Sequence, residues 1–425
     1  MPKYRPRIAD DILMRKLKGV GAVLIQGPKW CGKTTTAEQH ARSVLYMDSP
    51  ATMEQNLKLA EIAPAKLLVG DTPRLIDEWQ LAPQLWDTIR FEVDHRDGFG
   101  HFILTGSAVP ADVSQVHHTG TGRFAWLTMR TMSLFESGES NGDVSLKALF
   151  ENPEADIFST NPLSIDDIAY LICRGGWPQA TMVDRDVALD QASNYFDAVV
   201  NADISRVDGV SRDADKARRI MRSLARNQGA QLSISAVCAD LQADDGPESG
   251  RESVGHYVDA LKKIFVIEDS PAWNPNLRSK TAIRTSDTRY FSDPSIAVSA
   301  LGVGPADLIA DLNTMGLLFE TLCVRDLRVY ADALGGSVYH YRDKLGLECD
   351  AVLHLRNGHY GLIEVKLGGD KNIDEGARTL MTLAEKIDLN KMPKPSFLMV
   401  LTGTAPYAYR RKDGVWVVPI GCLRH

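Results

Sequence analysis

The chain is poor in the features that mark whole classes of protein. Across its 425 residues no apolar run approaches the roughly 20 needed to span a bilayer, so no membrane partner is expected. The basic start, Met1-Pro2-Lys3-Tyr4-Arg5-Pro6-Arg7, is not followed by the apolar core of a secretory signal. Six cysteines (Cys31, Cys173, Cys238, Cys323, Cys349, Cys422) stand far apart without one C-x-x-C pair. That spacing argues against a zinc ribbon or a disulfide framework and points to a reducing cytoplasm. A net charge of −7 gives no blanket attraction to nucleic acid, so any DNA contact has to come from a local patch. There is no internal repeat or low-complexity tract, and His117-His118 has no Cys, Asp or further His at ligand spacing.

What the chain does have is a globular composition, 44% apolar and 24% charged, with length for two or three domains. Its most informative stretch is Gly27-Pro28-Lys29-Trp30-Cys31-Gly32-Lys33-Thr34, which satisfies G-x-x-x-x-G-K-[ST]. The apolar run Ala22–Gln26 precedes it as a strand, and Thr34, Thr35 and Thr36 open a helix after it. Backbone amides of such a loop, together with the positive end of the following helix, form an anion cradle. Lys33 then reaches the β- and γ-phosphates of ATP and Thr34 holds Mg²⁺. Neither Trp30 nor Cys31 is expected to contribute an essential side chain, because the cradle is built from amides.

Around that loop, strands at Ala22–Gln26, Ser43–Met47, Arg74–Ile76 and His101–Leu104 alternate with helical stretches, the pattern of an α/β sheet flanked by helices. Leu75-Ile76-Asp77-Glu78 is an apolar strand end running into two carboxylates. In that position Asp77 suits the metal's water shell and Glu78 the polarisation of an attacking water. The apolar strand Phe102-Ile103-Leu104 ends in Thr105-Gly106-Ser107, where Thr105 or Ser107 can sense a γ-phosphate. Arg123 follows; it stabilises transition-state charge, in cis or from a neighbouring subunit, or is simply solvated.

The Gly-, Ser-, Asp- and Pro-containing stretch from about Glu136 to Pro162 breaks the periodicity and reads as a boundary or insertion. Beyond it, Asp186–Val200 and Ala214–Asn227 carry helical periodicity, the second with Lys216, Arg218, Arg219, Arg222 and Arg226. Two further helices near Ile234 and Ser253, capped by Ser233 or Ser235 and by Glu252 or Ser253, lead into Ile264-Phe265-Val266-Ile267. This is the outline of a winged helix that contacts DNA, or equally of a helical lid with solvated basic residues. An α/β pattern returns with a strand at Thr288–Phe291, a long helix Leu312–Tyr330, and strands Ser337–Arg342, Cys349–Leu355 and Gly361–Val365. Along a strand, residues two apart share a face, so Glu364 and Lys366 project together, and a neighbouring strand with Asp350 completes a carboxylate–carboxylate–lysine group. Asp350 and Glu364 are hard oxygen ligands for Mg²⁺, and Lys366 can orient or deprotonate water. Trp177, Trp273 and Trp416 are assigned to packing.

Taken together, GPKWCGKT, LIDEWQ, FILTGS, Gly122-Arg123, Arg174-Gly175-Gly176-Trp177-Pro178, Asp203-Ile204, Asp293-Pro294 and Tyr341-Arg342-Asp343 resemble prokaryotic AAA+-type P-loop ATPases fused to an uncharacterised C-terminal domain. Glu320, Asp350, Glu364 and Lys366 in that order resemble the restriction-endonuclease-like, D…E-x-K fold, with Cys349 where the usual motif has proline. The resemblance implies an α/β protein in three parts: an ATPase sheet over 1–163, a helical, winged-helix-like region over 164–275, and a nuclease-like domain over 276–425. The expected activity is Mg²⁺-dependent ATP hydrolysis coupled to a nucleic-acid-directed domain, with homo-oligomers expected where Arg123 acts in trans. The alternative is a nucleotide-controlled switch that docks DNA or protein and cuts nothing. A small-molecule kinase is the weakest reading, for want of an acceptor site.

Overall fold

A computed structural model describes residues 4–106, 120–155, 157–245, 250–275 and 286–425. Ser107, His117 and His118 lie outside the described residues. By contacts the chain forms two compact units that it enters more than once. The first takes Met1–Thr131, Ala198–Asp213 and Val258–Val266; the second takes Met132–Asp197, Ala214–Tyr257 and Ile267–His425. This division differs from consecutive segments 1–163, 164–275 and 276–425. Among the described residues no helix is long and apolar enough to cross a membrane. All six cysteines are free and buried.

In the first unit five strands, β1 (Ala22–Gln26), β2 (Ser43–Tyr46), β3 (Arg74–Asp77), β4 (Phe102–Gly106) and β5 (Phe124–Thr128), form one sheet in the order β2-β3-β4-β1-β5. Every pairing is parallel. A parallel sheet needs both faces covered, and its strands accordingly read as unbroken apolar runs. Ile76, Leu104 and Trp86 belong to one core, where Trp86 stacks on Phe124 with ring centroids 3.9 Å apart. Because β4 lies between β1 and β3, the ends of all three strands meet at one edge: Ile25 and Asp77 both register with Thr105.

The second unit is built on a seven-stranded sheet. Its strands are β7 (Ser159–Thr160), β10 (Gly336–Arg342), β11 (Glu348–Leu355), β12 (Tyr360–Lys366), β13 (Phe397–Thr402), β14 (Tyr407–Arg410) and β15 (Trp416–Pro419), in the order β10-β11-β12-β13-β15-β14-β7. The long helix Leu312–Leu334 packs on β10, β11 and β12, while Asp370–Glu385 makes the crossover between the parallel strands β12 and β13. The polar stretch read as a boundary or insertion belongs to this unit, which the chain enters at Met132. Its β6 (Val144–Ser145) pairs with β16 (Leu423–Arg424), and its β7 pairs with β14. Within it Ser145 caps the short helix Leu146–Glu151 by accepting from the Ala148 amide, and just before it Ser133 accepts from the Glu136 amide.

In the middle of the chain, helices Ala214–Arg226, Ile234–Asp245 and Arg251–Lys263 precede an antiparallel pair, β8 (Ile267–Ser270) with β9 (Thr288–Phe291). Ser233 caps the second helix by accepting from the Ala236 amide. Several motif residues prove architectural. Buried Asp293 accepts from the Gly176 amide at 2.9 Å and pairs with Arg325 at 3.1 Å, while Asp326 accepts from the Leu134 amide. Trp177, Trp273 and Trp416 are buried, and the Trp177 indole donates to Ser295 Oγ.

Candidate functional sites

The Gly27–Thr34 loop leaves the end of β1 and runs into the helix Lys33–His40. Gly27 has φ +150°, and a Cβ there would come within 2.0 Å of the Met129 carbonyl oxygen. Gly32 at φ +98° makes the second left-handed turn. Trp30 also sits in the left-handed region, φ +64°, which a non-glycine residue keeps only where its surroundings demand it. Its indole is about half exposed at 51%, whereas Cys31 is buried with its thiol toward the Met129 carbonyl. What fixes the loop is a residue overlooked in the sequence. Arg7, buried just before the helix Ile8–Leu17, donates to the Cys31 carbonyl at 2.8 Å and to the Arg130 carbonyl at 2.9 Å. Asp10 accepts from the Arg7 amide and from Tyr4, and pairs with His40 on the loop helix.

Lys33 is buried, and its ammonium donates to the Gly27 and Pro28 carbonyls at 3.0 and 2.8 Å. A buried cation satisfied by carbonyl oxygens inside an amide-lined loop is poised for an anion. Next to it, Thr34 donates to Asp77 Oδ1 at 2.8 Å, and Thr105 donates to the same oxygen. The expected Thr34, Asp77 and Thr105 are thus gathered at one strand edge. Burial pushes the Asp77 carboxyl up against the lowering effect of these two hydroxyls. Burial, then the Asp77 charge, does the same to Glu78. Glu78 adopts left-handed angles (φ +53°, ψ +44°) and accepts from the Gln80 side-chain amide, so Gln80 steers it. The donor set of Thr34 hydroxyl and Asp77 carboxylate, hard oxygens only, fits Mg²⁺.

Arg123 stands apart from these groups. It precedes Phe124, which registers with Ala22 at the start of β1. The phosphate loop leaves the other end of this five-residue strand, roughly 16 Å away. The Arg123 guanidinium instead meets Asp94 at 2.8 Å, near the end of the helix Leu85–His95. In this structure the Arg123 guanidinium therefore stands away from the phosphate loop of its own chain. Sequence proximity to Thr105 misled because in a parallel sheet each strand starts at the edge opposite the one where it ends.

In the second unit the antiparallel register Ala351–Ile363 brings Asp350 beside Glu364 at the next step, and Asp350 Oδ2 accepts from the Val365 amide at 2.8 Å. Lys366 lies 4.0 Å from Asp350 and 3.8 Å from Glu364. Glu364 is 5% exposed, and its Oε2 is buried without a hydrogen-bond partner. Burial, reinforced by Asp350, holds its carboxyl well above the ordinary range. For Lys366, burial disfavours the charge, but Asp350, Glu364 and Glu320 outweigh it and raise the ammonium's pKa. Glu320 accepts from the Tyr290 hydroxyl at 2.6 Å. Part of it lines an open cleft with Gln231, His340 and Asp350. Dense protein around the rest, with the Asp350 charge, pushes its carboxyl up to about 8. An orphaned carboxylate oxygen beside a second carboxylate is the environment a divalent cation relieves, so Asp350 and Glu364 fit Mg²⁺. Among the described residues, however, no three His, Cys, Asp or Glu side chains converge as a ligand group.

The basic helix is less open than its sequence suggests. Lys216 donates to Ser253, Arg218 pairs with Asp197 at 2.9 Å, and Arg226 lies 3.8 Å from Asp240.

With these geometries in hand, residues 20–137 match the sequence family described as "AAA domain". Residues 165–307 and 315–423 match two families described as domains of unknown function, DUF8612 and DUF4143. Uncharacterized proteins of Mycobacterium bovis and Mycobacterium tuberculosis are each 22% identical over 378 residues, covering 88% of this chain and 77% of theirs. A solved structure of a Walker-type ATPase from Pyrococcus abyssi overlaps 70% of this chain and 99% of that one, at 13% identity and a TM-score of 0.41, a likeness too slight to argue from. The match over residues 20–137 supports a P-loop ATPase reading of the N-terminal part of the chain.

Proposed function

We propose that this protein hydrolyses Mg²⁺-ATP at the Gly27–Thr34 site and couples that cycle to a nucleic-acid-directed, nuclease-like C-terminal domain. The observation that carries the first half is the buried Lys33 ammonium, held by loop carbonyls next to the Thr34–Asp77–Thr105 hydrogen-bond chain. Amides of Gly27 to Thr35 take the phosphate oxygens, and Lys33 leaves its carbonyls for the β- and γ-phosphates. Thr34 and Asp77 would hold Mg²⁺, which would supply neutralising charge at the phosphates. Thr105 reads the terminal phosphate, and Glu78, steered by Gln80, orients and polarises the attacking water. An arginine, if one is used, comes from another subunit, and Arg123 is the candidate. Lys33→Ala should abolish ATP binding, and Glu78→Gln should bind ATP without turning it over. Hydrolysis retained in Glu78→Gln would remove its assigned role.

For the second half the support is the orphaned Glu364 oxygen between Asp350 and Lys366. Asp350 and Glu364 would hold a divalent cation and Lys366 would orient water against a phosphodiester. The other reading is a nucleotide-controlled DNA- or protein-binding switch with an inactive nuclease-like fold. Mg²⁺- or Mn²⁺-dependent DNA cleavage, lost in Asp350→Ala and Lys366→Ala, decides for the nuclease. Cleavage absent in every nucleotide state decides for the switch, and a DNA-dependent ATPase rate tests the nucleic-acid link itself.

A further inference from the structure

We propose that Asp203 is an internal competitor of the nucleotide for Lys29, so that filling the phosphate loop releases the segment 198–213. The inference rests on the reading of the first unit as an ATP site. Lys29 is the third residue of the loop, and its Nζ lies 2.5 Å from Asp203 Oδ1. The two lysines of the loop are held differently. Lys33 is buried against loop carbonyls, whereas the Lys29 side chain is 41% exposed and committed to a carboxylate from 174 residues further along. A triphosphate arriving in the same loop brings several negative charges to that ammonium. Lys29 is then shared between two anions, and whatever it gives to one it withdraws from the other.

The partner side of the pair is built to respond. Asp203, its side chain only 11% exposed, closes the π-helical turn Val199–Asp203 between the helices Arg185–Ala198 and Ile204–Arg206. π-Turns are rare, poorly bonded and concentrated where a helix serves a function. Just beyond it, Arg212 ties the following residues into one piece. It donates to the Ile204 carbonyl at 2.7 Å and to both oxygens of Asp208 at 2.7 Å, and its amide donates to Ser205. A buried carboxylate that loses its ammonium partner is left with an uncompensated charge. The turn that carries it must then rearrange. Residues 185–197 and 214–226, which flank the segment in the chain, belong to the second unit, so the segment is a covalent route from nucleotide state to that unit.

The test uses the full chain with Mg²⁺-ATP and Mg²⁺-ADP. Asp203→Asn should tighten ATP binding about two- to fivefold, the range for a partly exposed ion pair. Lys29→Ala should weaken binding, and the double variant should bind as Lys29→Ala does. In the unaltered chain, hydrogen exchange in 198–213 should speed up on ATP addition. Equal ATP affinity with and without the Asp203 charge, together with exchange indifferent to ATP, overturns the proposal while leaving ATP binding intact. A chain that binds no Mg²⁺-ATP overturns the nucleotide reading first. If Asp203→Asn does not fold, the exchange measurement on the unaltered chain decides alone.

Discussion

Arg7→Ala isolates the brace of the phosphate loop from its chemistry. The guanidinium makes two charge-assisted hydrogen bonds, to the Cys31 and Arg130 carbonyls, from a position 6% exposed. A bond with one charged partner contributes about 1.5–3 kcal/mol, so the two together hold roughly 3–6 kcal/mol. Water entering the vacated space recovers part, leaving a loss of about 2–4 kcal/mol. The carbonyl of Cys31 belongs to the loop itself, so the loss falls on the conformation that phosphate needs. A loop that must be re-formed at about 2 kcal/mol binds roughly thirtyfold more weakly. Asp77, Glu78 and Thr105 are not among the groups Arg7 bonds to, so the chemical step is spared. Steady-state ATPase kinetics should show KM raised about thirtyfold with kcat within about threefold of the unaltered chain. Arg7→Lys, whose single ammonium can serve one carbonyl well, should fall between. A KM unchanged in Arg7→Ala, or a collapse of kcat at unchanged KM, would refute this reasoning.

The other predictions are narrower. Gln80→Ala should lower kcat about tenfold at unchanged ATP affinity, because it frees the Glu78 carboxylate to leave its position; a change in affinity alone would contradict that role. The Glu320 carboxyl, raised by burial to about 8 from 4.5, contributes stability present in full below its unfolded pKa and lost as pH rises through about 8. Thermal melting of the unaltered chain should therefore weaken from about pH 5 to about pH 9, and Glu320→Gln should flatten that slope; parallel slopes would count against it. Arg123→Ala should leave ATP affinity unchanged, and it should slow turnover only if mass measurements show ATP-dependent association; slowing in a strict monomer would contradict the register of β5.

Which residues could be read from the sequence follows from what their partners are. The phosphate loop was legible because its function lies in backbone geometry, and glycines at fixed spacing report that geometry directly. Asp350, Glu364 and Lys366 were legible through the two-residue period of strands, which the Ala351–Ile363 register turns into contact. Asp77 and Thr105 were each found at a strand end, and only the strand order, with β4 between β1 and β3, joins them through one carboxylate oxygen. Arg7 escaped because its partners are main-chain carbonyls, which every residue has, so no side-chain pattern announces them. Asp203 was noticed beside Ile204 but had no visible partner, since Lys29 lies far away in the chain. The Glu136–Pro162 stretch has the composition of a linker, and its pairings with β14 and β16 near the far end of the chain leave no mark in its sequence. In each miss the deciding fact is a pairing over long sequence distance, and the same holds for the division of the chain. Segments 198–213 and 258–266 carry no compositional mark of the ATPase unit, yet they belong to it, and each is bounded by chain of the other unit. Each of these segments is joined by the backbone to the second unit at both of its ends, so a nucleotide-driven change in either has a covalent path to that unit.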